Sequence, residues 1–445
     1  MTTGDAPAPV AAAGVERNLD AAIAFQRDLY LYWWAARALG ELALTSRGML
    51  TRATLRRLRA QWPVSDDDRA ESDDSRRYFQ RRLLERLGLL RVLTEVAEPA
   101  GSAESTEIPG RGERRLVAAD AAMMARFLAH PLAERLRICV RLWVAGGWWS
   151  DGRPSDAPPS PHSLHTPAQP RVALARRRLV ETLAALEPGS PVEMPGGAPL
   201  AMFGPRIIGA TAQTARTKQR KPRDIAEERN QVMRAALVGP LRWLGLVVRD
   251  EIAGADAPGE MRLIVSRAAL ALRNEPDADE AAIPETPGRV IIQPNLDALA
   301  YPPLTAPTLF TLDSCATRGA LERVAHYRLT RGDVTRAQRE DWSNEEELPR
   351  RLESLTGQPL PGAVRVRLGD WARAADRIRL TPRATLLSTA TPAVMDTLLA
   401  DRAAREWSVR RLGPTLALIS TDEIEAVRRW LLAHGELPAI EQPAT

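Results

Sequence analysis

The residues best suited to chemistry in this chain are arginines at helical spacing. Arg52, Arg56, Arg57 and Arg59 fall in LTRATLRRLRAQW, and guanidinium groups on such a helix can pair with phosphates or, bidentately, with a guanine edge in the major groove. A second run, ARTKQRKPRD, places Arg216, Lys218, Arg220, Lys221 and Arg223 within eight residues, with no acid before Asp224. A cationic segment of this kind tracks a phosphate backbone with little sequence preference and with strong salt sensitivity. It holds Lys218 and Lys221, the only lysines in the chain, so arginine supplies the rest of the 61 basic residues. Codon bias toward arginine explains the first run better than the second. Both also fit a solvated surface, and the sequence leaves that open.

Other chemistries lack their residues. A Walker A lysine must follow a glycine-rich loop to reach the β- and γ-phosphates, and neither lysine follows a glycine. No ATP-hydrolysing motor is expected. DEIA at Asp250 and DEIE at Asp422 resemble the acidic motif that holds magnesium in such motors, but without a P-loop they read as hairpin or helix-cap acids. His130, His162, His165, His326 and His434 form no HExxH, and Cys139 and Cys315 stand alone without metal-ligand spacing. Both cysteines are expected to be buried as small apolar residues. No GxSxG elbow occurs. The expectation is a non-enzyme with no metal and no cofactor.

The elements that would position the arginines follow from periodicity. The chain has 445 residues, 44% hydrophobic and 26% charged with a net charge of +5, which suits several domains with cores of their own. Residues 1–18 are rich in Ala and Pro and are expected to be disordered. AAIAFQRDLYLYWWAARALGELAL then reads as one helix, and Thr51 is placed to cap a second that carries the first arginine run. A third helix, RRYFQRRLLERLGLL, runs into the strands RVLTEV and ERRLVAA. Three helices and a two-stranded ribbon are the layout of a winged helix, with the arginine helix in the recognition role.

The pattern recurs. LLERLGLLRVLTE, a polar loop and RRLVAADAAMMARFL match GPLRWLGLVVRDE, a Gly/Pro loop and MRLIVSRAALALR, the sign of a repeat. Leu87, Gly88 and Leu89 correspond to Leu244, Gly245 and Leu246, each glycine ending a helix in a left-handed cap. The pairs Trp33/Trp34 and Trp148/Trp149 cannot both face one core, so one member of each is expected to pack against another domain rather than stack on bases.

Downstream, RVIIQPNL from Arg289 to Leu296, HYRLT from His326 to Thr330, and Leu360-Pro361 before an amphipathic helix resemble the domain N-terminal to the motor of XPB-type helicases, found also as a stand-alone helicase-associated domain in bacterial proteins. The resemblance covers about 285–435 and departs at Asn295, where the family usually has an acid. The residues themselves predict a β-α-β-β-α unit from TLLSTA to DEIEAVRRWLLAHG, with Thr391 and Thr421 at helix starts and Gly435 at the last helix end.

The sequence therefore predicts an α+β chain, predominantly α with small β ribbons. Its parts are a disordered 1–18, winged-helix-like modules at 19–149 and 171–275 joined by a Pro-rich linker at 150–170, a basic loop at 212–223, and an XPB N-terminal-like domain at 285–437. With no run of about 18 apolar residues and an N-terminal segment without a basic start or long apolar stretch, the cytoplasm is the expected location. The resemblance implies a non-catalytic helicase-associated adaptor in DNA repair, recombination, transcription or defence. Its partners would be duplex DNA, a motor ATPase supplied by another polypeptide, or both, and no membrane. A winged-helix transcription regulator and a purely protein-binding subunit are the alternatives.

Overall fold

A helix without a polar side organises the first part of the chain. In the computed structural model, α1 spans Val10–Leu39 and buries Phe25, Leu29, Tyr30, Leu31, Tyr32 and Trp33 on all of its faces. Such a helix is stable only when enclosed. The structure describes residues 10–45, 48–61, 73–94, 114–149, 167–192, 222–250, 262–273, 283–340, 346–375, 384–401, 407, 409–420 and 423–434. They divide into two compact units, Met1–Ala372 and Arg373–Thr445. The division falls inside the stretch expected as a single C-terminal domain.

α1 starts before Leu19, where order was expected to begin, and stops before Leu44. Gly40, at a φ of 75°, ends it, and ELAL becomes the strand β1 (Glu41–Leu44). The helices α2 (Arg52–Ala60) and α3 (Asp73–Arg86) follow, then the strands β2 (Leu90–Thr94) and β3 (Arg114–Ala118). The sheet order is β1-β3-β2, with Leu116 of β3 opposite both Leu42 and Val92. The expected ribbon thus has a third strand. It was hidden because ELAL is as apolar as the helix before it and follows without a gap.

The helices α4 (Ala121–Leu128) and α5 (Leu132–Ala145) lead to the second copy of this arrangement. That copy comprises α6 (Pro170–Ala185), α7 (Pro222–Val238), the one-turn α8 (Pro240–Trp243), β4 (Val247–Arg249), β5 (Leu263–Val265) and a 3-10 helix at Arg267–Arg273. Gly88 and Gly245 sit at φ 73° and 74°. The N–H of Leu89 donates to Leu84 O, and that of Leu246 donates to Leu241 O, each at 2.9 Å. This is the six-to-one bond that closes a helix through a left-handed residue. Residues 189–192 lie along β5, with Gly189 N–H donating to Val265 O and Val192 N–H to Leu263 O, each at 2.8 Å, as β1 lies along β3. The repeat read from the LGL triplets therefore extends to the third strand.

Gly245 also fixes where the second copy rests. A Cβ there would lie 2.4 Å from the backbone N of Ala22 in α1, so α1 and the turn touch backbone to backbone. Arg176 of α6 supplies another tie. It is buried and donates to the carbonyls of Trp143, Gly146 and Trp149 at 2.6, 2.8 and 2.7 Å, placing a cation at the C-terminal end of α5, where the helix dipole favours it.

The remainder of the first unit is a four-stranded antiparallel sheet with helices. Its strands β6 (Val290–Ile292), β7 (Asp297–Ala300), β8 (Thr317–Leu321) and β9 (Ala325–Arg328) take the order β6-β7-β9-β8. The helix α9 (Ala306–Cys315) precedes β8, and α10 (Arg331–Glu340), α11 (Glu347–Thr356) and α12 (Gly362–Ala375) follow β9. At the β6–β7 turn, Asn295 Oδ1 accepts from Asp297 N–H at 3.1 Å, and Leu296 takes a φ of 74°. The amide at 295 thus does the turn's hydrogen bonding where the family usually has an acid.

A buried polar cluster joins this region to α1. The Tyr30 hydroxyl donates to Asp313 Oδ2 at 2.6 Å, Arg318 Nε donates to Asp313 Oδ1 at 2.9 Å, and the second guanidinium arm pairs with Oδ2. The Arg318 guanidinium carbon lies 3.8 Å from the Trp34 ring centroid. Burial pushes the Asp313 carboxyl above the usual carboxylate range, while Arg318 and Tyr30 pull it back down.

In the second unit, β10 (Ala384–Ser388), α13 (Pro392–Ala400), β11 (Arg410–Arg411), β12 (Leu416–Ser420) and α14 (Ile424–Ala433) form the expected β-α-β-β-α order. The sheet order is β10-β12-β11, and its core is Leu398, Ile419, Val427 and Leu431. Thr391 is the N-cap of α13, with Pro392 in the first turn. The cap of α14 is Glu423, while Thr421, Asp422 and Gly435 lie outside the described residues. The whole is α+β, as the sequence predicts, and no helix among the described residues is long and apolar enough to cross a membrane.

Two predictions follow from these contacts. Gly88→Ala costs about 1–2 kcal/mol for the left-handed residue alone, since a Cβ there meets only the Met123 methyl at 3.5 Å. Gly245→Ala costs clearly more in urea unfolding, because the added carbon strikes the α1 backbone; equal losses would refute the close approach. In Arg318→Met, Asp313 loses its counter-charge, so its folded-state pKa rises further above the unfolded one. A group raised on folding stabilises at low pH and loses that contribution as pH rises. The variant should therefore lose stability relative to the parent as pH rises above the unfolded carboxylate pKa of about 4, and parallel pH profiles would contradict this.

Candidate nucleic-acid interface

Helix α2 is built to hold its arginines outward. Thr51 caps it, its Oγ1 accepting from Thr54 N–H at 3.2 Å, while Thr54 and Leu58 turn inward and are buried. Arg52, Arg56 and Arg57 are exposed, and none has an ion-pair partner among the described residues. Arg52 and Arg56 are four residues apart and share a face. Thr51 N–H donates to Ala43 O at 3.1 Å, so α2 begins at the end of β1, where Leu44 faces Arg114 at the start of β3. Arg59 belongs to α2 and Arg223 to the first turn of α7, but their side chains lie outside the described residues, as do Arg216, Lys218, Arg220 and Lys221 entirely.

The helix that leads into the β2–β3 hairpin is α3, not the arginine helix, and α3 faces inward. Phe79, Gln80, Arg81, Arg82, Leu83 and Glu85 are all buried. Phe79 lies 5.6, 5.1 and 5.5 Å from the rings of Trp148, Trp149 and Trp243. Arg81 donates to Gly48 O at 2.7 Å and pairs with Glu85 at 3.1 Å, while Arg82 pairs with Glu85 at 2.5 Å. The side of α3 that carries these residues is thus covered by protein.

In the second copy the equivalent helix stays partly open. α7 buries Val232, Ala236 and Leu237 but exposes Arg229 and Gln231. Arg249 and Arg262, both exposed, stand at the root of the β4–β5 hairpin, where Asp250 N–H donates to Arg262 O at 3.0 Å. Asp250 is thus a hairpin acid, as expected. The sequence reading missed Arg249 and Arg262, although their positions flanking the polar loop were a usable signal.

The other candidates pack. Trp34 lies under Arg318, Trp33 is buried near Phe310 at 6.5 Å, and Trp149 meets Trp243 of the second copy at 5.6 Å. These are the inter-region contacts expected of the tryptophan pairs. Cys139 and Cys315 are buried, with burial pushing the Cys139 thiol up to about 12.

Comparison with known families then adds one decisive match. Residues 290–413 match the family described as helicase conserved C-terminal domain. That stretch is similar to a helicase-related domain. The match runs from β6 through α12 into the second unit and ends before β12, the central strand of the second sheet. No curated protein matches the chain.

The burial contrast between α2 and α3 is testable by stability. Arg56→Ala with Arg57→Ala should change unfolding free energy by less than about 0.5 kcal/mol, as for exposed sites generally. Arg81→Met should cost about 2–3 kcal/mol, because the Gly48 carbonyl loses its donor and Glu85 loses one of two cations. Loss of helical signal in the double variant would mean that those arginines are structural.

Proposed function

We propose that this chain is a non-catalytic helicase-associated adaptor that grips DNA by its phosphates and works beside a motor ATPase carried on another polypeptide. The observation that carries the reading is the helicase-family match at 290–413 on a chain whose two lysines sit outside any P-loop. In this reading the two repeats are winged-helix-like and the matched region is the XPB N-terminal-like domain.

Backbone contact fits the arginines better than base readout. With α3 enclosed, the first module offers the α2 arginines and no groove-entering helix. The second module offers Arg229, Arg249 and Arg262, and the basic run containing Arg216, Lys218, Arg220, Lys221 and Arg223 leads into its helix α7. Contacts of this kind position a protein on duplex DNA and carry no sequence information. A sequence-reading transcription regulator is correspondingly disfavoured.

Mobility shifts of the full chain on duplex and single-stranded DNA at two salt concentrations test the proposal. Replacing Arg216, Lys218, Arg220 and Lys221 by Ala should weaken binding alike on unrelated sequences and flatten the salt dependence by up to about 0.9 per lost phosphate contact. Replacing Arg52, Arg56 and Arg57 should act in the same way. No binding at low salt would end the DNA reading and leave a protein-binding subunit, whereas strong preference for one sequence would favour the regulator.

A further inference from the structure

The sheet of the second unit has leucines on both faces. Antiparallel strands with one wet face alternate apolar and polar residues, yet β10 reads Leu386-Leu387 and β12 reads Leu416, Ala417, Leu418, Ile419. The register separates the two faces. Leu387, Ala417 and Arg411 share one row, on the side where Arg411 pairs with Asp396 of α13 and where Ile419 joins the helix core. Leu386, Leu418 and Arg410 share the opposite row, with Leu416 and Ser388 paired in the next.

That opposite face is open. Leu386 is 59% exposed and Leu412 is 51% exposed, while Leu416 and Leu418 are half-buried. Arg410 is exposed at the corner of the patch and has no ion-pair partner among the described residues. Four leucines in water on one small face call for a cover.

From this we infer that the face is a docking site for an amphipathic helix of a partner protein, apolar along one stripe and acidic beside it. Size selects this occupant. β10 and β12 run five residues each and β11 only two, which gives a patch of at most about 17 by 14 Å from strand rise and spacing. That accepts one helix about 10 Å wide but falls well short of the roughly 800 Å² per partner of a stable dimer interface, so a second copy is excluded. The described residues of the face include no aromatic ring on which a base would stack and only one cation, Arg410, to meet phosphates, so a nucleic-acid strand is left as an outcome of the test. Arg410 selects the acidic flank. The inference rests on the docking half of the proposed function and is independent of its DNA half.

The test uses the full chain with Ser388→Cys carrying a fluorophore; Cys139 and Cys315 are buried and remain unlabelled. The probe is a helical peptide of about four turns, with leucines at i, i+3, i+4 and i+7 and glutamates alongside. Saturable binding is expected, weakened about tenfold by Leu386→Ser and clearly weakened when the peptide's glutamates become lysines. Leu386→Ser should leave both Tm and DNA shifts unchanged, which separates failure here from failure of the DNA reading. The inference is overturned by absence of saturation, or by equal binding to Leu386→Ser. A lowered Tm in that variant would overturn it too, since the chain would then cover the face itself. Self-association abolished by the same change, or competition by an oligonucleotide, would have the same effect.

Discussion

The first unit depends on the enclosure of α1. A helix presenting Phe25, Leu29, Tyr30, Tyr32 and Trp33 in different directions has no orientation in which one neighbour suffices, so its burial draws in elements from three stretches of chain. The first repeat supplies α3 and β3, the second brings the Gly245 turn against Ala22, and the helicase-related region brings α9 with Phe310 and Asp313. The repeats are therefore packed around a shared helix rather than strung along the chain. Within this unit the polar ties, Arg176 on three carbonyls and Arg318 on Asp313, sit at the seams between those stretches, where apolar packing alone would leave buried hydrogen-bonding groups unmatched.

Enclosure has a cost for recognition and a benefit for architecture. Helix α3, which in an isolated winged helix would be free to enter a groove, is the element that meets α1 and the aromatic group of Trp148, Trp149 and Trp243. Its Arg76, Arg81, Arg82 and Glu85 are paired internally. Basic groups left outside include those on α2, whose Thr54 and Leu58 face inward, and on α7 with the adjoining hairpin root.

Much of this was legible in the residues, and the exceptions have physical causes. The LGL triplets disclosed the repeat because a left-handed cap needs glycine and because Leu84 and Leu241 must sit five residues before the closing leucine. The β-α-β-β-α unit was legible from its short β-branched or leucine-rich runs and the Thr391-Pro392 start. Strand β1 was not, since four apolar residues following an apolar helix carry no period of their own and only pairing with β3 defines them. The inward turn of α3 was likewise invisible. RRYFQRRLLER is among the most highly charged helices of the chain, and propensity alone would have put it in water. The tertiary context of Glu85 and the Gly48 carbonyl satisfies its arginines instead. Arg249 and Arg262 were overlooked because only the closing of the β4–β5 hairpin brings the two sides of the polar loop to one root.

The Tyr30–Asp313 hydrogen bond joins residues 283 positions apart, and that separation bears on how the chain is made. α1 is made well before α9 and is among the last elements to be completed. At about 5–20 residues per second, its aromatic side waits roughly 15–60 s for α9 to be synthesised. Throughout that interval an aromatic-rich, largely buried helix lacks one of the walls that enclose it, and final closure requires a loop spanning more than half of the chain. Long-range closure of this kind is slow and leaves apolar surface exposed to aggregation on the way. Yield in the cell should thus be governed by what shelters α1 during synthesis as much as by the stability of the finished fold.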